Sequence, residues 1–137
     1  VVGAGCRRFK LAISQVEVAS PAGLFVFTDT AMGNTADGIK ASSAKLYSVQ
    51  IDNSANGGAA SYVKIYNLAS GSVVVGTTAP DEIIYVPAGA VITQYFFTGA
   101  AAGKTFGTAL SAICVTTGGT AGSTSPVSAA VVTVSYV

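Results

Sequence analysis

Histidine and tryptophan are both missing from this 137-residue chain. Without an imidazole there is no Ser-His-Asp or Cys-His nucleophile system, and the commonest metal ligand is gone. The two cysteines, Cys6 and Cys114, cannot furnish the four ligands of a zinc site. Charge is scarce as well: 9% of residues against an ordinary share of about 25%. Half of the chain is apolar, which excludes global disorder. Yet no apolar run reaches the ~18 residues of a membrane-spanning helix. There is no Asn-x-Ser/Thr sequon and no signal-peptide pattern at the start, so intracellular synthesis is the expectation. The net charge of +1 argues against a general polyanion binder.

The charges that exist are unevenly placed. Arg7, Arg8 and Lys10 supply three of the seven positive charges. They read either as a solvated end or as a docking arm, residues 1–10, leading into a single domain over 11–137. Cys114 lies in the apolar run Ala112-Ile113-Cys114-Val115, where a free cysteine behaves as a small core residue. A Cys6–Cys114 bridge is compatible with the sequence, but nothing demands it. Hydrophobicity this high in a single domain points to a large subunit interface, because obligate interfaces resemble a core cut in half.

What the chain has in quantity is Gly, Ala, Ser and Thr, enclosing short runs rich in Val, Ile, Tyr and Phe. That is strand composition bounded by turn residues. Phe9, Leu11 and Ile13 alternate with Lys10, Ala12 and Ser14. Residues 23–27 are apolar throughout, as in a strand buried on both faces. Tyr47, Val49 and Ile51 alternate with Ser48, Gln50 and Asp52. A turn over 53–58 then leads into 62–67, and the two runs read as the clearest hairpin. Further strands are expected at 72–75, 82–86, 91–97, 109–116 and 129–136. Residues 28–44 lack alternation and read as a long loop with a helical turn near 36–43. Residues 117–128 read as a surface loop. The sum is an all-β, antiparallel β-sandwich of eight or nine strands, with a jelly roll as the leading topology.

Motifs with chemical meaning fail on spacing. Residues 1–5 resemble the opening of a dinucleotide-binding turn, but Arg8 stands where the third glycine belongs. Gly99 to Thr105 resembles a phosphate loop with one residue too few between its glycines. Asp81 and Glu82 are neighbours and point to opposite faces of a strand. Asp29, Asn34 and Asp37 fall in one segment but do not match an EF-hand loop. Tyr62, Lys64 and Tyr66 share one strand face, which reads as a packing patch with a snorkelling lysine before a single-strand nucleic-acid surface. No catalytic residue, cofactor or metal is expected, and the chain reads as a structural or binding module. A β-sandwich hydrolase ranks last, because it must work without histidine.

Several segments carry a resemblance: Tyr47–Asn53, Tyr62–Asn67, Val75–Asp81, Ile83–Gly89, Phe106–Ile113 and Val132–Tyr136. In this order, over residues 45–137, they resemble a recurring pattern in small virion proteins of tailed phages, of the capsid cement (decoration) type. The resemblance implies a jelly roll or sandwich that trimerises on the capsid surface and clamps major capsid protein subunits, with no nucleic-acid or membrane partner. It offers no residues for catalysis. Arg7, Arg8 and Lys10 then become candidate capsid-docking residues. The alternative is a carbohydrate- or receptor-binding module of a phage head or tail, with Tyr62, Tyr66 and Tyr95 as its platform.

Overall fold

The structure, a computed structural model, describes residues 13–16, 23–98 and 101–137. Arg7, Arg8, Lys10, Cys6 and the expected alternation from Phe9 to Ala12 lie outside them. The described strands are β1 (Ile13–Val16), β2 (Phe25–Met32), β3 (Asp37–Lys40), β4 (Ala44–Asp52), β5 (Ser61–Tyr66), β6 (Glu82–Val86) and β7 (Val91–Tyr95). They continue as β8 (Phe97–Thr98), β9 (Ala101–Ala102), β10 (Lys104–Phe106), β11 (Leu110–Val115) and β12 (Ala130–Tyr136).

Two antiparallel sheets face each other as a β-sandwich. One runs β1-β2-β12-β4, with β7 and β10 sharing the far edge of β4; the other runs β3-β11-β5-β6. The pairing is nested. β5 pairs with β6, β4 with β7 and β10, β3 with β11, and β2 with β12. Alternation explains which side chains fill the middle. In β12, Ala130, Val132, Val134 and Tyr136 are buried while the residues between them are half-buried. They meet Leu46, Val49, Ile51, Val63, Ile65, Val86 and Phe106 in one core. β11 is buried along its whole length, because its outer face is covered too. There Tyr66, Ile113 and Val115 form a second cluster with Leu68, Val73 and Val75.

Four expectations need correction. Residues 28–44 are not a long loop with a helical turn. They contain the second half of β2, all of β3 and the start of β4. The apolar signal is thin there because one inward position holds a carboxylate, Asp29, leaving Met32, Ile39 and Ala44 to carry the burial. Residues 72–75 are not a strand: a 3-10 turn, Ser70–Ser72, leads into a flap that lays Val73 and Val75 on the second cluster. Among 23–27 only Phe27 is buried.

The fourth correction concerns the hairpin. β4 and β5 lie in different sheets, so residues 53–60 arch across the end of the sandwich. Asn53 makes that possible. It is fully buried, and both halves of its amide are used. Its Nδ2 donates to the carbonyls of Ala59 and Pro87, each at 3.1 Å. Its Oδ1 accepts from Asn56 Nδ2 at 2.9 Å and from the Ser61 hydroxyl at 2.8 Å. Its backbone N–H donates to Ala90. Asn56 in turn exchanges two bonds with the backbone of Ser128.

β4 also contains the irregularity that shapes one edge. Opposite β12 the register slips at Tyr47, so that Ser135 pairs with Ser48 while Tyr136 pairs with Leu46. The bulge re-phases the strand: Ala44 and Leu46 are buried before it, Val49 and Ile51 after it, and Tyr47 is only half-buried. On the other side of β4, β7 stops at this same point and β10 takes over. Between them β8 and β9 pair only with each other, among the described residues. Gly103 closes the base with a bond to Phe96, at φ +90°, where a Cβ would meet Lys45 Cγ at 2.9 Å.

Replacing Asn53 with alanine leaves the buried Ser61 hydroxyl and one donor of Asn56 without their acceptor, and takes one bond each from the carbonyls of Ala59 and Pro87. At roughly 1–3 kcal/mol for each unsatisfied group, we expect Asn53→Ala to lose about 3 kcal/mol or more of stability in urea denaturation. A loss below 1 kcal/mol would contradict the role assigned to Asn53.

Candidate functional site

The β2–β3 corner gathers the polar side chains with the most perturbed chemistry. β2 turns Asp29 inward, where it is 3% exposed, and β3 opens with Asp37. The two carboxyl groups hydrogen-bond to each other. Asp29 Oδ1 also accepts from the N–H of Ala31 at 2.7 Å. The corner between them is pinned from both sides. The Gly33 carbonyl accepts from the backbone N–H of Cys114, while Asn34 donates its backbone N–H to the Ser125 hydroxyl and its side-chain amide to the Ser123 carbonyl. The result is a cavity of about 320 Å³ lined by Asp29, Ala31, Asn34, Thr35, Asp37 and Ser125.

No basic side chain lines this cavity. Burial, and then the hydrogen bond and charge of Asp29, push the Asp37 carboxyl from 3.8 up to about 7. Asp37 therefore keeps its proton toward neutrality and can donate it to Asp29. Its oxygen atoms are of the type hard cations take. The set is short of the six to eight ligands calcium requires, and the Asn34 amide nitrogen is engaged by Ser123. The sequence places Asp29, Asn34 and Asp37 in one segment; the structure brings them into one cavity. What the sequence could not show is that Ser125, 91 residues after Asn34, completes it.

The other residues singled out by the sequence are dispersed. Tyr62, Lys64 and Tyr66 do share a face of β5, but loops cover it. Lys64 is fully buried and its Nζ donates to the carbonyl of Gly122 at 2.6 Å. Burial holds its pKa below the usual lysine value. Residue 122 has to be glycine, since a Cβ there would meet the Thr117 carbonyl oxygen at 2.1 Å. The 117–128 segment is therefore more than surface: Gly122 and Pro126 are buried. Tyr66 is buried with its hydroxyl unpartnered, and burial raises its pKa. Tyr62, Lys64 and Tyr66 therefore present no exposed basic and aromatic surface, because Lys64 is enclosed beneath Gly122 and Tyr66 is buried. The aromatic platform of Tyr62, Tyr66 and Tyr95 is not assembled either: Tyr66 is enclosed, and Tyr95 belongs to the other sheet.

Lys104, from the phosphate-loop-like stretch, lies on β10. It pairs with Glu82 and donates to the Asp81 carbonyl, with its ammonium 5.6 Å from the Phe106 ring centre. It ties the two sheets together across their edge, which leaves no lysine poised over a phosphate cradle. Cys114 is a free, fully buried thiol, and burial pushes its pKa up to about 11. Its place in the core is the one its apolar flanks predict.

The chain matches no family model, no curated protein and no solved structure. The surface therefore has to be read from its own chemistry. Ile83, Tyr85, Val91, Tyr95 and Phe97 are exposed by 40–69%, and Tyr95 stacks on Phe97 at 5.9 Å. Only Tyr95 among them stands out in the sequence, as a candidate platform residue. The available signal was charge: between Glu82 and Lys104, residues 83–103 carry none.

The carboxyl pair gives a pH prediction. Asp37 binds its proton more tightly folded than unfolded. Its stabilising contribution is thus complete below about pH 4 and is lost as pH rises through about 7. Calorimetry should show the melting temperature falling by a few degrees between pH 5 and 8. Asp37→Asn, which keeps a donor for Asp29 but cannot ionise, should flatten that slope and melt above the wild type at pH 8. An unchanged slope would refute a proton held on Asp37.

Proposed function

We propose that this chain is a virion structural protein of the capsid cement (decoration) type. In this reading it binds the outer surface of a phage head and stabilises contacts between major capsid protein subunits. It needs no cofactor and performs no catalysis. The segments that resemble such proteins fall on β4, β5, the flap after Ser72, β6, β11 and β12. We also read the nested pairing as the double Greek key of a jelly roll, an architecture shared by viral capsid and lectin domains.

The observation that carries the proposal is Val127, which is 98% exposed. Its neighbour Ser128 is bonded in both directions to Asn56, which is bonded to buried Asn53. An apolar side chain is thus held in water next to a residue anchored by two hydrogen bonds. Preorganisation of this kind lowers the entropy cost of docking. Val127 borders a shallow groove of about 310 Å³ lined by Ala55, Gly57, Gly58 and Ala59, where small residues let a partner approach closely. Arg7, Arg8 and Lys10 would add ion pairs to the same capsid contact. Many such weak contacts, repeated over a shell, multiply through effective concentration. Nothing favours the carbohydrate-binding alternative, whose proposed platform is dispersed.

Mass photometry or sedimentation with cement-free phage capsids tests this. Saturable binding at integer stoichiometry, with a raised capsid melting temperature, is the expected result. Val127→Asp, and separately removal of residues 1–8, should each weaken occupancy about tenfold, or roughly 1.4 kcal/mol. A protein that ignores capsids sinks the proposal.

A further inference from the structure

We infer that the free edge of β7 is a self-association surface, on which a second copy of this chain pairs antiparallel across a two-fold axis. The inference rests on the oligomer expected of a decoration protein, but it replaces the three-fold arrangement implied by the resemblance with a two-fold contact.

Of the seven large hydrophobic residues exposed among the described residues, Val91 and Tyr95 lie on the outward face of β7 with Phe97 of β8 stacked on Tyr95, while Ile83 and Tyr85 lie on β6, on the outward face of the other sheet. β6 is the last strand of its sheet, and β7, joined to it by the Pro87–Ala90 turn, pairs only with β4 among the described residues. Edge strands are normally blunted by a lysine, a proline or an inward charge. β7 has none of these. Its sequence is Val-Ile-Thr-Gln-Tyr, within a stretch that carries no charge from residue 83 to residue 103.

The charge-free surface offers a charged partner nothing to recognise, whereas its register suits a copy of itself. Val91, Thr93 and Tyr95 are all exposed and alternate onto one face. If two β7 strands pair about Thr93, each Val91 stands opposite Tyr95 of the second copy, and the two threonines face each other. Aromatic with β-branched, and threonine with threonine, are among the favourable cross-strand pairs. No like charges are opposed. With aromatic side chains bringing about 150–250 Å² each, the exposed parts of Val91, Tyr95 and Phe97 amount to roughly 350 Å² per copy. The paired strand backbones and their flanks must supply the remainder of the roughly 1,000 Å² at which specific interfaces begin.

The test is sedimentation velocity on the full chain without capsids. The wild type should run as a dimer. Thr93→Lys and Thr93→Glu each place like charges face to face at the axis and should weaken self-association about tenfold or more, with unchanged circular dichroism. Mixing the two variants should restore a dimer, because lysine then faces glutamate. The control Val74→Glu, at a residue 60% exposed on the flap, should remain dimeric. A wild-type monomer, an oligomer indifferent to Thr93→Lys, or a mixture that stays monomeric overturns the inference. Capsid occupancy, measured separately, distinguishes this from failure of the decoration reading. A monomer that still saturates capsids overturns only the dimer, and a dimer that ignores capsids overturns only the decoration role.

Discussion

A buried primary amide with every donor and acceptor engaged is the constraint on which this architecture turns. Where the chain leaves β4 it has two options, to fold back in the same sheet or to cross to the other. Asn53 decides for crossing. Its side chain stands in for backbone partners that an arch cannot supply to itself, and it does so for the arch, for the turn after β6 and, through Asn56, for the loop before β12. Buried polar groups of this kind are stabilising only when fully matched. Here the matching also means that three connections far apart in sequence can adopt only one mutual arrangement.

The opposite end of β4 shows a second kind of economy. One bulged residue, Tyr47, shifts the phase of a nine-residue strand and marks the point where its neighbour is interrupted. β7 and β10 are two halves of one edge, and β8 with β9 is what the chain does in between. An edge broken in this way cannot template a long continuous partner, which limits indefinite strand addition. The five residues of β7 remain available, a length suited to one defined contact.

Strands were legible in the sequence wherever inward positions were apolar. β6 and β12 fall within a residue of where alternation puts them, and Cys114 sits in the core as its neighbours imply. The segment 28–44 was illegible because Asp29 occupies an inward position, and its partner Asp37 opens the next strand. A protonated Asp37 offers buried Asp29 a hydrogen-bond partner, which lets a carboxyl take an inward position but erases the pattern. Lys64 misled for a related reason: a lysine on an outward face reads as solvated unless one knows that Gly122 lies over it. The hairpin was misread because Asn and Gly serve a tight turn and an arch equally well, and only the sheet to which each strand belongs separates them. The acidic cavity was half-legible, since the carboxylates are local and Ser125 is not.

The nesting has a consequence in time. β12 lies between β2 and β4, and Tyr136 is opposite Phe25. The larger sheet therefore cannot close until β12 has been made. Early strands must wait as unpaired edges until then, and the transition state must bring together segments about a hundred residues apart. Such topologies fold slowly. Where the barrier is high, the same route in reverse is slow as well, and the finished molecule endures by rate as well as by equilibrium.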